Sequence, residues 1–126
     1  RVGRTSAKGA GPEVRRIDRE KLGQLINNYE DVNISQTTIL YVKKDNLANI
    51  DYLNKLQRDG CDFSQIEEFK GMESNYVFVI GLGTASNVDI FRDLYYKSVS
   101  RSTGVCYIVE DEMVKTYLLE LLNAKS

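Results

Sequence analysis

Hydrophobic and polar positions divide the chain after Pro12 into alternating strand-like and helix-like segments. The segment EVRRI alternates apolar and polar residues, which is the period of a half-buried strand. Three later segments (TTILYV, YVFVIGL and VCYIV) are almost continuously apolar, as expected for strands covered on both faces. CDFSQI is a shorter candidate. The predicted strands therefore lie at 13–17, 37–42, 61–66, 76–82 and 105–109.

Apolar residues at helical spacing predict four helices between and after these strands. Asp18, Asp45 and Asn87 are placed to cap the first three helices, Gly60 to end the second, and Gly104 to break the chain before the last strand. The predicted inward positions are Leu22, Leu25, Ile26 and Tyr29; Leu47, Ile50, Leu53 and Leu56; Ile90, Phe91, Leu94 and Tyr95; and Met113, Val114, Tyr117, Leu118, Leu121 and Leu122.

Strands that alternate with helices in this way predict an α/β fold of three layers, a mainly parallel sheet with helices on both faces. The crossovers should be right-handed. Ligands of such sheets usually bind beyond the carboxyl ends of the strands.

The length of 126 residues suits one domain. Residues 1–12 are rich in glycine, small and basic residues, which predicts a flexible leader before a domain at 13–126. A leader of this kind suggests that the chain is a fragment of a longer protein.

Composition excludes several function classes. The sequence contains no histidine, which excludes a Ser-His-Asp or Cys-His catalytic set and a His-ligated zinc site. Cys61 and Cys106 are isolated and lie beside apolar runs, which favours buried thiols in a reducing compartment. The net charge of −1 gives no global positive field for nucleic acid. We find no membrane-spanning run and no secretory signal, so we expect an intracellular protein, in cytoplasm or nucleus.

Candidate chemistry lies in short polar segments beside the strands. The loop GLGT (81–84) lacks the Lys-Ser/Thr of a P-loop, which favours a tight turn. In KGME (70–73), Gly71 would allow close backbone approach and Glu73 could accept from a ribose hydroxyl, although a solvated turn also explains the segment. Arg101 could cap helix carbonyls or donate to a phosphate as a two-pronged group. Lys43 and Lys44 could contact phosphates or be solvated.

Taken together, these segments resemble a known family. EEFKGMESNYVFVIG resembles the motif V region of UvrD/Rep-type superfamily 1 helicases, in which a "KGLE" turn precedes a strand. LYYKSVSRSTGVCYIV resembles their motif VI, roughly "LYVALTRA" before an apolar strand, and TTILYVKKDNLANIDYLNKL resembles the segment that carries motif IV. The order and approximate spacing also agree over residues 13–126.

The resemblance implies the second RecA-like, C-terminal domain of an ATP-dependent DNA helicase or translocase. In that family two RecA-like domains hold ATP between them, and the first supplies the P-loop and the Mg²⁺-binding acidic motif. By resemblance, Glu73 would contact the ribose, Gly71 would allow close backbone approach, and Arg101 would be the arginine finger. Lys43 and Lys44 would contact single-stranded DNA, and the N-terminal RecA-like domain would be the partner within the same protein.

Departures from the family pattern keep two other readings open. Gln65, Glu67 and Glu68 occupy the stretch where motif V has a Thr-x-His-type segment, and Val42 stands where motif IV usually has an arginine. One alternative is therefore a degenerate helicase-like domain that serves interaction or regulation without activity. The other is an unrelated α/β binding domain.

Overall fold

The parallel sheet predicted from the sequence is present. The structure is a computed structural model that describes residues 12–28, 36–48, 51–68 and 73–124. Within these ranges five strands form one all-parallel sheet in the order β1-β5-β4-β2-β3. The strands are Glu13–Ile17 (β1), Thr37–Tyr41 (β2), Asp62–Gln65 (β3), Ser74–Ile80 (β4) and Ser102–Val109 (β5).

In the described part of the chain, four α-helices accompany the sheet. They are Arg19–Asn28 (α1), Asp51–Arg58 (α2), Val88–Ser100 (α3) and Glu112–Ala124 (α4). The described residues also form short 3₁₀ turns at Lys44–Leu47, Ile66–Glu68 and Leu82–Thr84. Within the described ranges, no helix is both long enough and apolar enough to cross a membrane.

The core consists of two clusters, one on each face of the sheet. On the first face, Leu22 of α1 and Leu53 of α2 pack against Phe78. On the second face, Phe91 of α3 and Val114 of α4 pack against a different set of strand side chains. The predicted three-layer α/β architecture is confirmed, and its layout is compatible with a RecA-like fold.

Connections over the two faces run in opposite directions along the sheet. The connections after β1 and β2 lead toward the β3 edge and place α1 and α2 on the first face. The connections after β3 and β4 lead back toward the β1 edge and pass over the second face, where Ile66 and α3 are buried. Opposite directions on opposite faces give all these crossovers the same hand, as a regular doubly wound sheet requires.

Local hydrogen bonds explain where several helices begin and end. The Asp18 carboxylate accepts from the Lys21 N–H at 2.7 Å, and the Asn87 side chain accepts from the Ile90 N–H at 2.9 Å. Gly60 has φ of 95°, the left-handed conformation expected after α2. These three predicted helix boundaries are confirmed.

The predicted helix from Asp45 to Gly60 is not continuous. A 3₁₀ turn occupies 44–47, and Ala48 is extended with φ of −65° and ψ of 144°. The Asn46 side chain accepts from the Lys43 N–H at 2.7 Å, so it closes a tight turn beside the Asp45 that we expected to cap the helix. The helix itself is described from Asp51 onward.

Predictions for four individual residues were wrong. Ile90, Met113 and Leu122 were predicted to face inward, but they are 43%, 44% and 61% exposed because each lies at or beyond the border of its helix's apolar stripe. Gly104 does not break the chain before the last strand, because it lies inside β5. Predictions for Tyr29, Ile50 and residues 1–11 of the leader fall outside the described residues, as does the side chain of Ile26.

Candidate functional site at the amino edge of the sheet

Glu73 and Arg101 lie at the same edge of the sheet. Glu73 directly precedes β4 and Arg101 directly precedes β5, and these two strands are neighbours. Ser74 and Ser102 are register partners, and the Ser74 N–H donates to the Arg101 carbonyl at 3.0 Å. The carboxylate and the guanidinium thus come from laterally adjacent positions.

This edge is the amino edge, where the parallel strands begin. The general rule for such sheets led us to expect ligands beyond the carboxyl ends. Both residues instead occupy the position immediately before a strand, so the sheet itself brings them together. The first described residue after the segment 69–72 is Glu73, which is exposed. Gly71, the third residue predicted for this site, lies outside the described residues.

Arg101 ends α3 and carries an unsatisfied donor. Its backbone N–H donates to the Ser98 carbonyl at 3.1 Å, which closes the last turn of the helix. Its Nε is buried and has no hydrogen-bond partner. A buried guanidinium nitrogen without a partner is costly, and an anionic ligand would relieve that cost. No ion pair joins it to Glu73 within the described part of the chain.

A second unsatisfied polar atom lies next to Arg101. Ser102 is 5% exposed, and its Oγ has no hydrogen-bond partner. Buried hydroxyl groups nearly always have a partner, so two consecutive residues with unpaired polar atoms are unusual. They distinguish this edge from the rest of the described core. No feature of the amino-acid pattern indicates the unpaired hydroxyl, because serine is common at strand starts.

A polar network that sequence reasoning missed joins the amino ends of three strands. The Ser74 hydroxyl donates to the Gln36 carbonyl at 2.8 Å, and the Asn75 amide donates to Gln36 Oε1 at 3.0 Å. The Thr103 hydroxyl donates to Asn75 Oδ1 at 2.8 Å. These bonds link β2, β4 and β5 directly beside Glu73 and Arg101, and they hold the edge together.

Lys43 and Lys44 lie at the opposite, carboxyl edge. Both are exposed and follow β2. The strands between the two edges are five to eight residues long in β2, β4 and β5, which separates the lysines from Arg101 by roughly 20 Å. The lysines therefore contribute nothing to the Glu73–Arg101 site and would form a separate contact surface.

Packing within the protein explains the glycine-rich loop 81–84. Gly81 has φ of 93°, and a side chain there would collide with the side chain of Asn46. A side chain at Gly83 would collide with the Asp111 carboxylate. The Thr84 hydroxyl donates to the Gly81 carbonyl at 2.7 Å. These contacts support the interpretation of the loop as a tight turn.

The acidic segment after β3 is partly neutralised by α3. Lys97 Nζ lies 2.9 Å from Glu67 and 2.9 Å from Asp93. Lys97 donates hydrogen bonds to the carboxylates of Glu67 and Asp93, and these bonds, the one to Glu67 most of all, raise the pKa of Lys97, so it remains charged at neutral pH. The Glu67 carboxylate is therefore held against α3, the helix that ends at Arg101.

The described residues contain no group of three or more cysteine, aspartate or glutamate side chains placed to hold a metal ion. Comparison with known proteins adds no family assignment to this geometry, because no family model matches the chain and no curated protein sequence matches it.

Proposed function

We propose that this chain is the second RecA-like domain of an ATP-dependent DNA helicase or translocase of the UvrD/Rep type. In this proposal the chain provides half of an ATP site, and an N-terminal RecA-like domain provides the other half. Glu73 accepts from the ribose hydroxyls. Arg101 donates to the γ-phosphate and stabilises the charge that develops there.

One observation carries the proposal, namely that a carboxylate and an arginine with an unpartnered buried nitrogen stand side by side at one edge. The register pair Ser74–Ser102 aligns them, and the lack of an ion pair between them leaves the guanidinium available to a ligand. A polyphosphate supplies the acceptors that the Arg101 Nε lacks. The ribose hydroxyls supply donors to the Glu73 carboxylate, which is an acceptor and not a donor when it is ionised.

The proposal also assigns roles to groups outside this edge. The sequence contains no GxxxxGK[ST] segment, so the N-terminal domain must hold the remaining phosphates and the Mg²⁺. Lys43 and Lys44 contact the phosphates of single-stranded DNA at the carboxyl edge. Binding there should weaken steeply with salt because counterions are released. The proposed location is intracellular.

Nucleotide titration followed by NMR tests the proposal directly. Millimolar ATP with Mg²⁺ is expected to shift the backbone amides of residues 73–75 and 101–103 and to leave the carboxyl edge unchanged. Arg101→Gln should weaken this binding about tenfold, because a charged hydrogen bond is lost. Arg92→Gln is the matched control, since Arg92 pairs with Asp89 on the exposed side of the same helix. Shifts centred on Lys43 and Gly81, or none at all, would contradict the proposal.

The chain alone is expected to show no measurable ATP hydrolysis or unwinding, because half of the site is absent. The measurement is phosphate release with and without single-stranded DNA, compared with the buffer rate. A robust rate that Arg101→Ala abolishes would overturn the idea of a shared site.

A degenerate helicase-like module is the second candidate, and the acidic segment favours it. Glu67 and Glu68 are exposed where the family would place DNA-facing groups, and Lys97 holds Glu67 in position. Val42 also replaces the usual arginine. If ATP shifts the amino edge while single-stranded DNA shifts neither Lys43 nor Lys44 at low salt, the nucleotide-binding half survives without the DNA contact. That result would favour the module over the translocase.

A further inference from the structure

The pairing of β4 with β5 contains one irregularity, directly beside the candidate site. Ser74 pairs with Ser102, but Tyr76 pairs with Val105, so two residues on β4 span three on β5. Asn75 therefore faces both Thr103 and Gly104. This is a β-bulge, a feature that is over-represented next to functional sites because it re-aims the chain.

Asn75 holds the bulge through both its side chain and its backbone. Its Oδ1 accepts from the Thr103 hydroxyl at 2.8 Å. Its carbonyl oxygen lies so close to Gly104 that a Cβ there would be only 2.6 Å away. The obstacle is backbone, which cannot rotate away, so only glycine fits opposite Asn75.

The bulge decides which residue of β5 stands beside Glu73. Downstream of it, Cys106 and Ile108 are fully buried and fix the position of β5 in the sheet. If the same sequence paired without a bulge, regular pairing back from Val105 would set Thr103 opposite Ser74 and Ser102 opposite Glu73. Arg101 would then lie one residue further out, a displacement of roughly 3.3 Å along the strand.

We infer that the Thr103–Gly104 bulge is the device that aligns Arg101 with Glu73, and that Gly104 and Asn75 are positioning residues for the site. The inference rests on the proposed function for its ATP-binding consequence, but the register itself is independent of any ligand. The role of the bulge is to place the Arg101 guanidinium beside the Glu73 carboxylate, so that both can contact one ligand. The bulge itself adds no contact to that ligand.

Disulfide cross-linking measures the register without nucleotide. Lateral neighbours in a sheet lie about 4.8 Å apart, which suits a disulfide. Glu73→Cys with Arg101→Cys should therefore oxidise readily, and Glu73→Cys with Ser102→Cys should not. Cys61 and Cys106 are buried, so they do not compete. In the Gly104→Ala chain, the added Cβ collides with the Asn75 carbonyl and displaces the bulge, so the preference should move to the Ser102→Cys partner. If Arg101→Cys remains the preferred partner in the Gly104→Ala chain, the inference is wrong.

A double-mutant cycle then tests whether the bulge acts through Arg101. Arg101→Gln should weaken ATP binding about tenfold in the parent chain, but by less than about twofold in the Gly104→Ala chain. An unchanged Arg101→Gln effect in the Gly104→Ala chain would overturn the positioning role. If the parent chain binds no ATP at this edge, the proposed function and the positioning role fail together, while cross-linking still decides the register.

Gly104→Ala keeps the chain length but forces the bulge to move, so ATP binding should weaken about threefold or more. Deletion of Thr103 is the complementary variant, and it tests the register even if Gly104→Ala does not fold. It removes the extra residue, so regular pairing back from Val105 keeps Ser102 opposite Ser74, and Arg101→Cys should remain the preferred partner of Glu73→Cys. A preference for Ser102→Cys in the deleted chain would contradict the inference. Gly83→Ala is the matched control for Gly104→Ala, since it also creates a close contact, but with the Asp111 side chain at the carboxyl edge. Equal effects of the two alanine variants would contradict the inference.

Discussion

Replacing Phe78 with alanine is expected to lower the free energy of unfolding by about 3–5 kcal/mol, the cost of removing a large ring from a closed core. Phe78 lies in the central strand β4 and is completely buried. Its ring stacks on Tyr107 with the ring centroids 4.5 Å apart and the planes 8° from parallel. Since domains of this size are stable by only about 5–15 kcal/mol, the variant should be close to unfolding.

Urea unfolding followed by circular dichroism measures this loss, with Tyr96→Ala as the matched control. Tyr96 is also aromatic but is 59% exposed on α3. Its replacement should change the stability by no more than about 0.5 kcal/mol. If Phe78→Ala costs no more than Tyr96→Ala, the packing described for the first face of the sheet is wrong.

Alkaline pH is expected to destabilise the protein through Cys106. The thiol is fully buried in the second face of the core, and burial raises its pKa to about 12. In the unfolded chain the thiol ionises near pH 8.5. The folded state therefore favours the protonated form, and this stabilisation is complete below the unfolded pKa and is lost as the pH rises toward the folded one. Each pH unit in that interval should cost about 1.4 kcal/mol.

The measurement is the free energy of unfolding at pH 8 and at pH 10.5, compared between the parent chain and Cys106→Ala. The parent should lose about 2–3 kcal/mol more than the variant over this interval. Lysines and tyrosines titrate in both proteins, so the difference isolates the thiol. Burial also raises the pKa of Cys61 to about 11, and a double alanine variant should flatten the dependence further. Parallel pH profiles for parent and variants would refute the assignment.

Much of the fold could be predicted from the sequence because the central strands are buried on both faces. A strand such as TTILY needs no exposed polar positions, so it stands out as a continuous β-rich run, and the structure buries all five of its residues. The caps Asp18 and Asn87 were predictable for a similar reason, since each bonds a backbone N–H only three residues away.

Features that depend on partners distant in the sequence could not be predicted. Gly104 reads equally well as a strand breaker or as a bulge residue until Asn75 is placed opposite it. The helix predicted from Asp45 begins later because Asn46 bonds the Lys43 N–H, and an asparagine in a helical pattern does not reveal that choice. Ile90 is turned outward because Phe91 and Leu94 occupy the buried side of α3.

For the candidate site, the sequence indicated which residue types are suited to a nucleotide, but not where the fold places them or what surrounds them. Glu73 and Arg101 were chosen as an acceptor and a donor suited to a nucleotide, and that role remains a prediction. Their shared edge depends on β4 lying beside β5, and the unpaired Arg101 Nε depends on the packing around the end of α3. Neither the order of the strands nor this packing produces a periodic pattern of hydrophobic residues in the sequence.

The position of β1 has a consequence for how the protein folds during synthesis. Among the described strands, β1 pairs with β5 alone, and its first residue, Glu13, lies opposite Val105. β1 is synthesised before β2, β3 and β4 and must therefore wait for β5, while β2 and β3 can already associate. Closing so long a loop is slow and leaves apolar surface exposed in the meantime. Nascent chains that stop before β5 should therefore be the species most dependent on chaperones.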